Sequence, residues 1–284
     1  MEYTLNCNGK LITLSSPQVM GILNVTPDSF YSGSRKQTER EIAERTQQIL
    51  AEGGTMIDVG GCSTRPGIDV GGCSTRPGSA PVDEEEESRR LRFALEIVRR
   101  EAPDTIVSID TFRPDVARMT VEEFGADIIN DVSEGADPEM FRMVARLKVP
   151  YILMSIAPTI RDMMLRFARE IQQLRDCGQK DIILDPGFGF GKDLQQNYDV
   201  MHQLNYDVMH QLDQLDALSL PVLVGISRKR MVWQFLESDP LQALNGTTVL
   251  NTISLMKGAS ILRVHDVKEA VECVRIVGQM NPKQ

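Results

Sequence analysis

The sequence predicts an α/β fold, a (β/α)8 TIM barrel with an N-terminal β-hairpin. Three observations predict it. Eight short apolar, β-rich runs alternate along the chain with longer amphipathic stretches. No Pro/Ser-rich linker divides the 284 residues, so one domain spanning 1–284 is expected, near the roughly 250 residues a barrel of this kind needs. The rival doubly wound sheet has fewer strands and calls for a G-x-G-x-x-G turn after the first, where this chain runs into NVTPDSF (24–30).

The elements follow in order. Residues 2–14 alternate weakly about Asn8-Gly9, a pair suited to a tight two-stranded turn. The barrel is expected over about 18–280. Its strand runs are VMGILNV (19–25), TMIDVGG (55–61), TIVSIDT (105–111), ADIIND (126–131), PYILMS (150–155), DIILDPG (181–187), PVLVGIS (221–227) and SILRVHD (260–266). Between the first two, Thr38-x-x-Glu41 reads as a capping box opening a helix over 38–52. Asp83, followed by four glutamates, opens another over 83–101, where negative charge suits the helix N-terminus. That acidic run is most simply a solvated first turn.

Two segments are duplicated letter for letter. IDVGGCSTRPG occupies 57–67 and again 68–78, and NYDVMHQL occupies 197–204 and again 205–212. Solenoids show several diverged copies, so this is not repeat architecture. Eight extra residues inside a helix would rotate everything downstream by roughly 80° and misplace its apolar face. That face is lost unless the copy loops out, and a second IDV strand would need its own place in a sheet; subtracting the copies of 11 and 8 residues leaves 265 independent residues.

Composition excludes several classes. With 42% hydrophobic residues the chain is globular rather than disordered. A net charge of −9, from 31 basic and 40 acidic residues, disfavours nucleic acid and anionic membranes as partners. No apolar run is long enough to span a membrane, and MEYTLNCNGK lacks the features of a secretory signal. The five cysteines show no metal-ligand spacing, so reduced thiols in the cytoplasm are expected. His202 and His210 are copies of one another, leaving His265 as the histidine outside the duplications.

Polar residues collect where the strand runs stop: Asn24, Asp58, Asp110, Asn130, Asp185, Ser227-Arg228-Lys229, and Arg263 with His265. One such residue would be an ordinary turn former. Nearly every strand end so marked points to a single mouth at the C-terminal face of the barrel, where such folds carry their chemistry. Asp110, Asn130 and Asp185 match the donor and acceptor edge of a neutral heterocycle. Arg65, Lys229, Arg263 and His265 supply positive charge for an anionic group such as a phosphate. No catalytic triad, carboxylate pair or zinc spacing emerges, so positioning and leaving-group stabilisation are favoured over covalent catalysis. DPGFGFGKD (185–193) is not a P-loop, because Pro186 and Asp193 break that spacing. It is a sharp turn, or a collar offering Phe188 or Phe190 to a flat ligand.

NVTPDSF (24–30), GGCSTRPG (60–67), DPGFGFGK (185–192), SRK (227–229) and RVHDV (263–267), in this order, resemble the dihydropteroate synthase family over about residues 18–278. The resemblance implies condensation of 6-hydroxymethyl-7,8-dihydropterin diphosphate with p-aminobenzoate to 7,8-dihydropteroate and pyrophosphate, in folate biosynthesis. It implies Mg2+ as cofactor, a homodimer, and sulfonamides as inhibitors. By resemblance Asp110, Asn130, Asp185 and Lys229 hold the pterin, Asn24 helps place Mg2+, and Arg263 with His265 binds the diphosphate. Thr64, Arg65, Pro66, Phe190 and Ser227 form the p-aminobenzoate side, with Thr75 and Arg76 as the alternative copy. The first copy is favoured, because only Ile57-Asp58-Val59 follows directly on Thr55-Met56 to complete a strand.

Two segments depart from the family pattern. MSIAPTIRDMM (154–164) stands where many members carry a His and a Gly-x-Pro turn, and Arg230 follows SRK where a small residue is commoner. A pterin-binding paralogue without turnover, or a folate-dependent methyltransferase on the same barrel, are the alternative readings.

Overall fold

A computed structural model describes residues 2–25, 35–61, 82–192 and 218–280, without the side chains of 35 and 36. An antiparallel hairpin, β1 (Tyr3–Cys7) and β2 (Lys10–Leu14), precedes eight parallel strands. Asn8 and Gly9 both take positive φ (49° and 87°), as a two-residue turn matching the strand twist requires. The parallel strands are β3 (Gln18–Asn24), β4 (Met56–Gly60), β5 (Ile106–Asp110), β6 (Ile128–Asp131), β7 (Tyr151–Met154), β8 (Ile182–Asp185), β9 (Leu223–Val224) and β10 (Ile261–Val264). Their order is β8-β7-β6-β5-β4-β3-β10-β9. A bridge between Leu184 and Val222, with the Leu184 amide donating to the Pro221 carbonyl at 2.9 Å, joins the last strand to the first. The predicted (β/α)8 TIM barrel is thus the fold observed.

The described helices are α1 (Arg35–Ala51), α2 (Glu84–Glu101), α3 (Pro114–Phe124), α4 (Pro138–Leu147), α5 (Ile160–Asp176), α6 (Arg230–Phe235), α7 (Leu244–Met256) and α8 (Val267–Met280). Among them none is long and apolar enough to cross a membrane. Asp83 caps α2 as expected, its carboxylate accepting from the Glu86 amide at 2.8 Å. Thr38 does not cap α1. That helix begins at Arg35, and Thr38 is buried within it. The run 221–227 yields only a two-residue strand, since Pro221 has no N–H to give a ladder and Gly225 weakens its far end.

Period-two alternation divides the barrel into two cores. Outward residues such as Ile57, Val59, Val107, Ile109, Leu153 and Leu262 pack against the helices. Inward residues at the N-terminal ends form a second cluster: Met20, Met56, Ile128, Ile152, Ile183, Leu223 and Ile261, with Ile106 beside them. Leu5, Cys7 and Leu14 of the hairpin pack on that cluster, closing the bottom of the barrel. Burial there pushes the Cys7 thiol up to about 12, which keeps it neutral. Two residues further along each strand, on the same inward face, stand Ile22, Asp58, Ser108, Asn130, Met154, Asp185, Gly225 and Arg263. The interior therefore changes from apolar to polar within two residues, and only the upper end is left for a site.

Candidate active site

Arg263 is the centre of this polar layer. Its Nε donates to Asp58 Oδ2 at 2.7 Å and its Nη2 to Asp110 Oδ2 at 3.0 Å. Asn130 Nδ2 donates to the same Asp58 oxygen at 3.3 Å. Asp58, Asp110, Asn130 and Asp185 are all buried. Asp58 Oδ1, Asn130 Oδ1 and Ser108 Oγ are buried polar atoms with no hydrogen-bond partner among the described residues. Leaving such atoms unpaired costs about 1–3 kcal/mol each, a cost functional sites commonly carry.

The collar after β8 forms the wall beside this layer. Asp185 Oδ1 accepts from the Gly187 amide at 2.8 Å, closing the turn. Gly187 has φ 65°, and a Cβ there would stand 2.1 Å from the Ser155 carbonyl oxygen, so only glycine fits. Lys229 Nζ donates to the Phe188 carbonyl and lies 4.3 Å from the centroid of the Phe190 ring. Phe190 is half-buried at the mouth, whereas Phe188 turns into the core at 3% exposure. Phe190, not Phe188, is thus the collar's aromatic face. Lys192 Nζ donates to the carbonyls of Gly187 and Phe190, both at 3.2 Å.

At the other side of the mouth, Ser227 Oγ accepts from the His265 amide at 3.1 Å and stands 3.2 Å from His265 Nδ1. The resemblance put these two residues on different substrates, and the structure makes them neighbours. Arg228 holds their two strands together. It pairs bidentately with Asp266 at 2.8 and 2.7 Å and donates to the carbonyls of Pro240 and Leu241. Arg230 turns away along its own helix, Nε donating to Gln234 Oε1 at 2.8 Å. Asn24 ends β3 exposed at the rim.

The electrostatics follow from burial. Burial pushes the Asp110 carboxyl up, against the pull of Arg263, and raises Asp185 against the pull of Lys229. Burial also lowers Lys229 to about 7, with Asp185 the chief opposing charge. His265 keeps solvent access, yet the crowding around its ring and then the charge of Arg263 lower it to about 4. It is therefore neutral at pH 7, so it offers a hydrogen bond and not the positive charge anticipated from sequence. Arg263 likewise spends much of its charge on Asp58 and Asp110.

Asp110, Asn130, Asp185, Lys229 and Arg263 are thus brought together, with Phe190 beside Lys229. Asn24, Ser227 and His265 lie on the surrounding rim. Thr64, Arg65, Pro66, Thr75 and Arg76 lie outside the described residues. β4 does use the first copy, Ile57 to Gly60, in continuous register with β3 and β5. Asp58 was marked among the strand ends but given no role. Its parity with Met56 was the available signal, because an acidic residue on an inward face needs a buried cation.

The chain matches the family described as "Pterin binding enzyme" over residues 20–67 and 68–265, two pieces that meet at the junction of the duplicated loop. It is 37% identical to dihydropteroate synthase of Escherichia coli strain K12 over 288 aligned positions, covering 96% of this chain and 95% of that protein. It is 35% identical to the Streptococcus pyogenes enzyme of the same name, covering 96% and 98%. Among solved structures, Xanthomonas albilineans dihydropteroate synthase with 4-aminobenzoic acid superposes with a TM-score of 0.82 at 32% identity, covering 100% of both chains. The same enzyme in complex with 7,8-dihydropteroate gives 0.79 at 30% identity, covering 99% of both. With the polar strand ends converging as the sequence motifs imply, this chain belongs to the dihydropteroate synthase family of pterin-binding enzymes.

Proposed function

We propose that the chain condenses 6-hydroxymethyl-7,8-dihydropterin diphosphate with p-aminobenzoate, yielding 7,8-dihydropteroate and pyrophosphate, as a cytoplasmic enzyme of folate biosynthesis. The observation that carries this reading is the buried polar layer of Asp110, Asn130, Asp185 and Lys229 at the barrel mouth. Its carboxylates and amide suit the N–H edge of a pterin, and the Lys229 ammonium suits a ring carbonyl. Relatives solved with 4-aminobenzoic acid and 7,8-dihydropteroate support the two substrate classes.

The aromatic amine nitrogen attacks the methylene carbon of the pterin while its C–O bond breaks. Pyrophosphate leaves with the electron pair, and the amine loses a proton. The carboxylates around the pterin favour positive charge developing at that carbon. Arg263 and neutral His265 donate hydrogen bonds to the diphosphate. To the p-aminobenzoate side we assign Phe190 and Ser227, and from the motif alone Thr64, Arg65 and Pro66 of the first loop copy, Thr75 and Arg76 being the second-copy equivalents.

Among the described residues no group of three or more His, Cys, Asp or Glu side chains could hold a metal alone. Mg2+ shared with a diphosphate needs only one or two protein oxygens, since it keeps several waters. Asn24, exposed at the rim, is a donor of that kind, so the residues fit the ion. When bound, Mg2+ would stabilise charge on the departing pyrophosphate.

A homodimer is supported by exposed apolar side chains on and between α6, α7 and α8: Phe235, Leu236, Leu241, Val249, Met256 and Ile276. Incubating the protein with pterin diphosphate, p-aminobenzoate and Mg2+ tests the activity. Pyrophosphate release dependent on p-aminobenzoate is expected. Pterin binding without that release would identify instead a paralogue lacking turnover.

A further inference from the structure

We propose that Glu134, in the loop after β6, is a positioning residue that sets the collar 187–191 and, through it, Lys229. Glu134 lies in DVSEG (131–135), one residue before Gly135, and no motif marks it. It holds φ 62°, a left-handed conformation that a glycine would take without strain. Its side chain is only 11% exposed and fully engaged. Oε1 accepts from Ser155 Oγ at 2.8 Å and from the Ile156 amide at 3.0 Å, and Oε2 accepts from Arg166 Nη1 at 2.7 Å. Ser155 and Ile156 open the segment that departs from the family pattern.

That turn is the floor of the collar. The Ser155 amide donates to the Asp185 carbonyl at 2.9 Å. The Ser155 carbonyl sits where any Cβ on Gly187 would be, and a Cβ on Gly191 would meet Ile156 Cβ at 3.0 Å. On the opposite side a Cβ on Gly189 would meet Lys229 Cδ at 2.9 Å. The glycine collar is therefore packed between the Ser155–Ile156 turn, against backbone, and the Lys229 side chain. A carboxylate that fixes the turn fixes the Phe188 carbonyl and the Phe190 ring, the two groups that aim Lys229. Arg166, from α5, fixes the carboxylate in turn. This places a largely covered carboxylate, on a residue of positive φ, where it serves the collar rather than the barrel core.

The inference rests on the reading of Lys229 as a pterin-binding group, and the test separates the two. Glu134→Gly removes the tether and relieves the positive φ, so its melting temperature is expected to stay within a few degrees of the parent. Amide hydrogen exchange over 185–192 should quicken, while the strands β3–β6 keep their protection. KM for the pterin diphosphate should rise roughly tenfold or more, as for a misplaced binding group, with p-aminobenzoate KM much less affected. Ser155→Ala should move the same two readouts in the same direction. Glu134→Gln keeps an acceptor for Ser155 and Ile156 and should restore most of the pterin affinity. Unchanged exchange over 185–192 in Glu134→Gly would overturn the proposal, as would a general loss of protection across the barrel. A parent protein with no pterin-dependent activity would refute the functional reading, and the exchange experiment would still decide the role of Glu134.

Discussion

Asp58→Ala tests the idea that the mouth is built around a buried cation. The side chain of Asp58 is 0% exposed, that of Arg263 13% and that of Asp110 5%. At a charge separation of about 4 Å and an effective dielectric near 20, each pair attracts by about 4 kcal/mol. Much of this repays desolvation, but removing one partner of a buried pair strands the other and costs about 3–5 kcal/mol. Arg263 would retain Asp110, so the lower end, about 3 kcal/mol, is expected. For a barrel of this size that corresponds to a melting temperature lower by roughly 6–12 °C. Urea unfolding at pH 7 would measure it, with Asp58→Asn separating lost charge from lost hydrogen bonding. In the double variant Asp58→Ala with Arg263→Met, the two losses should fall short of additivity by about 2–3 kcal/mol. A loss below about 1 kcal/mol, or additive losses, would refute the claim that Asp58 and Arg263 support one another.

Four further outcomes are expected. Lys229→Ala and Asp185→Ala should abolish pterin binding by calorimetry while far-UV circular dichroism stays that of the barrel; unaltered binding in either removes the assignment. Because Lys229 titrates near 7 in the folded protein and near 10.4 unfolded, pterin affinity should fall as pH rises through about 7. Over pH 7–10 the unfolded chain binds the extra proton, so this residue makes stability rise with pH, and Lys229→Met should flatten that slope in urea titrations. Val249→Glu on α7 should halve the mass seen in sedimentation if the apolar faces of α6–α8 meet in a homodimer; an unchanged mass would place the contact elsewhere.

Much of the site was legible because a strand shows its neighbours at every second residue. Met56-x-Asp58, Ile128-x-Asn130, Ile183-x-Asp185 and Ile261-x-Arg263 each place a polar group on the face of an apolar one, so apolar floor and polar mouth can be read from parity. Positions where the reading failed depend on distant partners. Thr38-x-x-Glu41 satisfies a capping pattern, yet α1 starts at Arg35 and Thr38 is buried in its first turn, a burial set by what packs over it rather than by the local motif. The neutrality of His265 comes first from the crowding of other elements around its ring, which its own motif does not show, and then from the charge of Arg263 two residues before it.

The sequence by itself determined the barrel, the N-terminal hairpin and which strand ends carry polar groups, because periodicity and turn residues are local properties of the chain; that the hairpin closes the bottom of the barrel came from packing. Only the tertiary structure decided how the charges are spent. Arg263 meets Asp58 across 205 residues and Asp110 across 153, and Glu134 reaches Ser155 across 21. The Arg263 pairings arise because the sheet curls and sets β10 beside β3, within hydrogen-bond reach of β4 and β5, and the Glu134 contact because β6 and β7 are neighbours. The formal charge of −9 said nothing of a mouth where cations and carboxylates face one another, because that balance exists only once the barrel has closed.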